Sequence, residues 1–117
     1  MVSLLSDLVG LFDELGIPCE TAALTDKAPD TYVALTPIQD YYSVEGDDIP
    51  LDEVQEIRIS LFTRGNYRAL KRSIEKACIA AGLCITGRRY VGREDDTKYF
   101  HYAIDVANSY SLEQEEK

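Results

Sequence analysis

The spacing of apolar residues near the N-terminus predicts an amphipathic helix over residues 4–15. Its apolar positions recur every three or four residues: Leu4, Leu5, Leu8, Leu11, Phe12 and Leu15. Ser3 is a good N-cap, and Gly16 followed by Pro18 ends the pattern. A one-sided stripe of this regularity is typical of a helix that packs against a sheet.

Two segments after residue 30 have the composition and alternation of β-strands. Thr31–Ser43 is rich in Tyr, Val, Thr and Ile, and its Pro37 predicts an edge strand or a bent one. In Val54–Thr63 apolar residues alternate with polar ones, which indicates a half-buried strand. Together they predict a long hairpin with an acidic tip, which carries Glu45, Asp47 and Asp48.

A second amphipathic helix is predicted over residues 67–81. Asn66 is its expected N-cap, and Gly82 is expected to end it. One face is apolar, and the outer face is basic through Arg68, Lys71, Arg72 and Lys76.

The last block predicts a second hairpin, in which Leu83–Val91 pairs with Lys98–Ala107 across a turn-rich segment. The order helix, hairpin, helix, hairpin predicts an α+β fold: a mostly antiparallel sheet from two hairpins, with two helices packed on one side. We expect a single α+β domain over residues 1–108 and a flexible acidic C-terminal tail over 109–117.

Composition agrees with one ordinary globular domain. The chain has 117 residues, 45% of them hydrophobic and 28% charged. No apolar run approaches the roughly 20 residues of a membrane span, and the N-terminus has no basic segment before its apolar residues, so we expect a soluble protein kept in a cytosol-like compartment. Three cysteines without Cys-x-x-Cys spacing, Cys19, Cys78 and Cys84, make a poor disulfide framework and a poor zinc site.

The charges are divided along the chain. The formal net charge of −9 argues against DNA binding through the overall field. Residues 1–57 hold thirteen acids and one base, whereas residues 58–93 hold nine bases and one acid. Unlike halves favour head-to-tail self-association. The alternative is that folding interleaves the halves and each charge only solubilises its own loop; charge alone leaves both open.

Candidate chemistry is sparse. His101 lies on an alternating strand beside Asp105, without a recognised nucleophile spacing. The acidic triplet Glu94, Asp95 and Asp96 lacks the spacing of a calcium loop. We therefore predict no catalytic residue, no cofactor and no metal; a small metal-dependent nuclease that uses the triplet and His101 is the distant alternative.

Two features point to surfaces instead. Arg88-Arg89-Tyr90, together with the basic helix, suits protein pairing, and contact with phosphates or bases is the other interpretation. Eight tyrosines and no tryptophan, with several along the hairpin arms, suit an interface, with core filling as the alternative.

The order of the blocks resembles the small tail proteins of long-tailed bacteriophages and prophages. The stretches that carry the resemblance are Thr31–Leu35, Asp40–Ser43, Gln55–Phe62, the helix from Tyr67 to Ala81, and the closing pair Gly87–Tyr90 and Tyr99–Asp105. The pattern covers nearly the whole chain and is most similar to the tail terminator (tail-completion) family, with head–tail joining proteins next.

This resemblance implies a non-catalytic virion-assembly protein that forms a ring, commonly of six subunits. The ring caps the tail tube and meets the head connector, and DNA passes through without specific binding. The expected locations are the cytoplasm of the bacterial host during assembly and the virion tail, with no membrane partner. The expected subunit interface comprises Arg58, Arg68, Arg72, Arg88, Arg89 and Tyr90. The expected lumen-facing or tube-facing loops comprise Glu45, Asp47, Asp48, Glu94, Asp95 and Asp96. A head–tail connector, an adaptor or another non-catalytic binding module is the alternative.

Overall fold

The computed structural model describes residues 3–20, 29–43 and 52–112. In chain order the elements are α1 (Leu4–Leu15), β1 (Cys19–Glu20), β2 (Thr31–Ser43), β3 (Asp52–Thr63), α2 (Tyr67–Ala80), β4 (Cys84–Arg93) and β5 (Phe100–Ser111).

The five strands form one mixed sheet in the order β1-β2-β3-β5-β4. The predicted α+β class is confirmed. β2 pairs antiparallel with β3, β3 with β5, and β5 with β4, whereas β1 pairs parallel with β2. The short β1 was not predicted, because two residues are too few for an alternating pattern; a hydrogen bond from the Val33 amide to the Pro18 carbonyl (2.9 Å) holds its start against β2.

Helix α1 begins and ends where its sequence predicts. The Ser3 side chain accepts a hydrogen bond from the Ser6 amide, and Gly16 adopts the left-handed conformation (φ 74°) that suits a residue just past a helix end. The Leu4 amide, free at the first turn of the helix, donates to the side-chain oxygen of Gln55 on β3 (2.8 Å). This bond fixes the start of α1 near the start of β3.

Two strand details refine the predicted hairpins. The register of β2 against β3 shifts between Pro37 and Gln39, so the proline coincides with a bulge. β5 continues to Ser111, three residues into the segment predicted as a tail, because Tyr110 is buried and its hydroxyl donates to Asp7 on α1 (2.6 Å). Residues 113–117 lie outside the described part of the chain.

The core lies between the helices and one face of the sheet. Buried residues of both helices join those of the strands in one cluster. Its members include Leu4, Leu8, Phe12, Val33, Ile57, Ile59, Leu61, Ile74, Cys78, Ile104 and Val106. Burial raises the pKa of the Cys78 thiol to about 11, with a contribution from the charge of Glu75, so this cysteine is a small apolar core residue.

Candidate subunit interface

Three basic side chains form a ridge on the outer face of α2. Arg68, Arg72 and Lys76 are spaced four residues apart, so they lie above one another along the helix, and all three are exposed. None of them forms an ion pair with a residue in the described ranges. The name basic ridge is used below for these three residues.

The apolar side of α2 explains why the ridge points outward. Tyr67 at the start of the helix contacts Phe100 and Tyr102, with ring centroids 5.3 and 6.0 Å apart, while Ile74 and Cys78 are fully buried. The Asn66 side chain accepts hydrogen bonds from two amides of the first turn (3.1 and 3.2 Å), as predicted for the N-cap.

Arg58 lies on the face of the sheet opposite the helices, called the second face below, and has a partner in its own chain. Its guanidinium donates two hydrogen bonds to the carboxylate of Asp105, at 2.8 and 3.0 Å. These bonds and the charge of Asp105 raise the pKa of Arg58. The pair is part-buried, and its geometry is the bidentate one that arginine favours with carboxylates.

The Arg88-Arg89-Tyr90 cluster is divided between two faces of the edge strand β4. Arg88 pairs with Glu75 of α2 (3.1 Å), and the Tyr90 ring lies 5.4 Å from that of Tyr67 and remains 47% exposed. Arg89 is exposed opposite Ala103, on the second face. Of the six predicted interface residues, Arg58 and Arg88 form ion pairs within the chain, whereas Arg68, Arg72, Arg89 and Tyr90 are exposed and form none with the described residues.

The acidic triplet lies in the turn between β4 and β5. Backbone hydrogen bonds join Glu94 to Tyr99 and Lys98 (each 2.9 Å) and close the turn. The Thr97 hydroxyl donates to the Glu94 carboxylate, and the Thr97 amide donates to the Asp96 carboxylate (3.0 Å). All three acids are exposed. The other predicted acidic loop residues, Glu45, Asp47 and Asp48, lie outside the described residues.

An acidic and aromatic surface lies on the two strand segments on either side of residues 44–51. We use the name arm for residues 40–43 of β2 and 52–55 of β3, which pair with each other. Tyr41 and Tyr42 are 51% and 60% exposed, and with Asp40 and Glu53 they line a small hollow. The tyrosine count suggested such a surface. The sequence did not predict that Asp40 and Glu53 belong to it, because their proximity depends on the register of β2 against β3.

The second face carries an aromatic cluster where β3 ends. Tyr32, Phe62 and His101 are neighbours across three strands, and their rings stack with centroids 4.9 and 4.3 Å apart. Tyr99 meets Tyr32 edge-on, and the guanidinium of Arg64 lies 4.3 Å from the centre of the Tyr99 ring. Tyr99 and Tyr102 of the second predicted hairpin are buried, so these two tyrosines fill packed clusters.

His101 belongs to this cluster. Its Nε2 atom is buried and has no hydrogen-bond partner among the described residues. Burial lowers the pKa of His101; the charge of Glu94 opposes this shift, whereas Arg89 and Arg58 add to it. The imidazole is therefore neutral at neutral pH and acts as a stacking ring.

Within residues 3–20, 29–43 and 52–112, no group of three or more His, Cys, Asp and Glu side chains is placed to share a metal ion. The acidic triplet and His101 are thus not assembled into such a group. In the same ranges, no helix has the length and apolar character needed to cross a membrane.

No protein-family model matches the chain, and no curated protein has significant sequence similarity to it.

Proposed function

We propose that this protein is a structural virion-assembly subunit of a phage or prophage, a tail terminator whose ring caps the tail tube and joins it to the head connector. The observation that carries the proposal is the segregation of charge on exposed surfaces of one subunit. The basic ridge lies on α2, whereas Asp40 and Glu53 lie on the arm.

Segregated charge favours assembly in one direction. Two different patches that attract each other form a heterologous contact, and such contacts generate a ring when the rotation between copies closes. Electrostatic complementarity also fixes the register of neighbouring subunits and excludes contacts between like patches. In the proposed ring, the basic ridge and Tyr90 meet the next subunit on the helix side of the edge strand β4, and Arg89 meets it on the second face. Arg88 supports the helix side through Glu75, and Arg58 supports the second face through Asp105.

The acidic turns fit a channel for DNA. A basic lining would hold the phosphate backbone, whereas an acidic one lets it pass without adhesion. We assign Glu94, Asp95 and Asp96, and by sequence Glu45, Asp47 and Asp48, to the lumen or to the rim that faces the tube. The proposed partners are further copies of the chain in a ring of six, the tail tube protein and the head connector.

Two measurements test this proposal. The first is the mass of the purified protein by light scattering at low and at moderate salt, where we expect a discrete closed oligomer that loosens as salt screens the charges. The second is the length of tail tubes assembled from the tail tube protein of the same phage or prophage, with and without the purified protein. Tubes that keep growing when the protein is present would overturn the tail-terminator function. If the protein nevertheless forms an oligomer in the light-scattering measurement, the result would favour a connector or an adaptor.

A further inference from the structure

The basic ridge borders a hollow on the outer side of α2. The hollow has a volume of about 380 Å³ and is lined by Arg68, Ala69, Arg72, Ser73 and Lys76. The small side chains Ala69 and Ser73 lie beside the row of basic ones on the helix surface, so small residues form the base of the hollow and cationic groups lie along one side of it. Such a site accepts a flat ring, because arginine stacks on aromatic faces, and it accepts a carboxylate beside the ring.

The arm presents those groups. Tyr42 lies directly opposite Glu53 in the β2–β3 register, and Asp40 is two residues from Tyr42, so these three side chains share the face of the arm that α1 covers farther along. Asp40 and Tyr42 are exposed and Glu53 is half-buried. Exposed tyrosine with flanking carboxylates complements a cationic hollow with a small-residue floor in both shape and charge.

The arm and the first turn of α2 lie near opposite ends of β3. The arm lies at the start of β3, whereas α2 begins beside Phe100, which pairs with Thr63 at the end of β3. The nine residue steps from Val54 to Thr63 span roughly 30 Å at the rise of an extended strand. Within one copy, the arm therefore cannot reach the first turns of α2.

We propose that the arm of one copy docks onto the basic ridge of the next, with Tyr42 over Ala69 and Ser73 and with Asp40 and Glu53 facing Arg72 and Lys76. This inference rests on the proposed ring and specifies its contact. The occupant is a second copy of this chain, because both complementary surfaces are present on it and the arm lies near the opposite end of β3 from the first turn of α2.

Complementary charge reversal tests the contact. D40K/E53K makes the arm basic, and R72E/K76E makes the ridge acidic, so each variant alone has two surfaces of like charge. We expect each variant to sediment as a monomer of 13.1 kDa, and an equimolar mixture to form a larger species in which the variants alternate. A mixture that stays monomeric, or single variants that associate as well as the wild type, would overturn the inference.

Two control variants carry the same charge changes elsewhere. D13K/E14K alters α1 and R93E/K98E alters the ends of the β4–β5 turn, and both are expected to associate like the wild type. Circular dichroism and thermal unfolding of each variant check that it is folded. Equal loss of association in these controls would indicate a general charge effect and overturn the specific contact.

The tube-length measurement separates this inference from the proposed function. If the two charge-reversed variants associate when mixed but the wild-type protein leaves tube length unchanged, the contact between arm and ridge is supported and the tail-terminator function is overturned. If the wild-type protein and both charge-reversed variants all stop tube growth, the proposed contact is overturned, whereas the tail-terminator function still stands. Arm variants that still form rings but no longer stop tube growth would assign the arm to the tube protein instead.

Discussion

Arg58 and Asp105 face each other across the central strands β3 and β5 and are joined by two hydrogen bonds of 2.8 and 3.0 Å. They are 47 residues apart in sequence, so the pair links the two predicted hairpins within one chain. The side chains are 37% and 20% exposed, so solvent only partly screens them. Arg58, which the charge pattern suggested for contact with a neighbouring subunit, thus also links strands β3 and β5 within its own sheet.

Removing Arg58 alone is expected to destabilise the protein more than removing the charges of both Arg58 and Asp105. Arg58→Met leaves a part-buried carboxylate without its partner, so we expect a lower urea midpoint for unfolding. Adding Asp105→Asn to that variant removes the uncompensated charge and is expected to recover part of the loss. A double variant that is destabilised by the full sum of the two single changes would contradict coupling between them.

Thr63 supports the turn that leads into α2. It is fully buried, its hydroxyl bonds to that of Thr31 (2.8 Å), and it also accepts from the Gly65 amide (3.0 Å). Thr63→Val keeps the shape but leaves both partners unsatisfied, so we expect a loss of about 1–3 kcal/mol in the free energy of unfolding. Thr63→Ser retains the hydroxyl and is expected to lose less, about 1 kcal/mol for the missing methyl group. Urea unfolding of both variants measures the difference, and equal losses would argue against the hydrogen bonds.

Stability is expected to fall as the pH drops below about 6.5, the ordinary pKa of histidine. The folded state lowers the pKa of His101, mainly through burial, so in this range the unfolded chain binds the proton more readily. The stabilising contribution of neutral His101 is complete above the unfolded pKa and is lost as the pH falls through the folded value. His101→Phe keeps a ring stacked on Phe62 and is expected to remove this part of the pH dependence. Urea midpoints from pH 5 to 8 test it, and identical profiles for the two proteins would refute the assignment.

Neighbouring positions on α1 provide a matched test of the core. Leu8 is fully buried, whereas Val9 is 43% exposed. Leu8→Ala is expected to cost about 2–5 kcal/mol, because it removes buried methyl groups and leaves a cavity. Val9→Ala is expected to change the free energy of unfolding by about 0.5 kcal/mol or less, as is usual for a surface position. Chemical unfolding measures the free energy of unfolding of both variants. Equal losses for the two would refute the assigned orientation of α1.

Sequence periodicity was sufficient where the structure is local. The start of α1 at Leu4, the cap at Asn66 and the strand Thr31–Ser43 all follow from patterns within a few residues. The pairing of Arg58 with Asp105 follows from the register of β3 against β5, which depends on residues far apart in the chain. The arm surface escaped prediction for the same reason, since Asp40 and Glu53 come together only through strand pairing.

The position of β3 also determines the order in which the nascent chain can fold. β3 has β2 on one side, already synthesised, but its other neighbour begins at Phe100, 37 residues after Thr63. At roughly 5–20 residues per second, translation leaves that side of β3 without its partner for about 2–7 s. During this interval a hairpin with an apolar face and an open backbone edge is present beside the ribosome, where it can pair with the same segment of another chain. The edge of β3 that later pairs with β5 is therefore the sheet edge at which the timing of synthesis matters for folding.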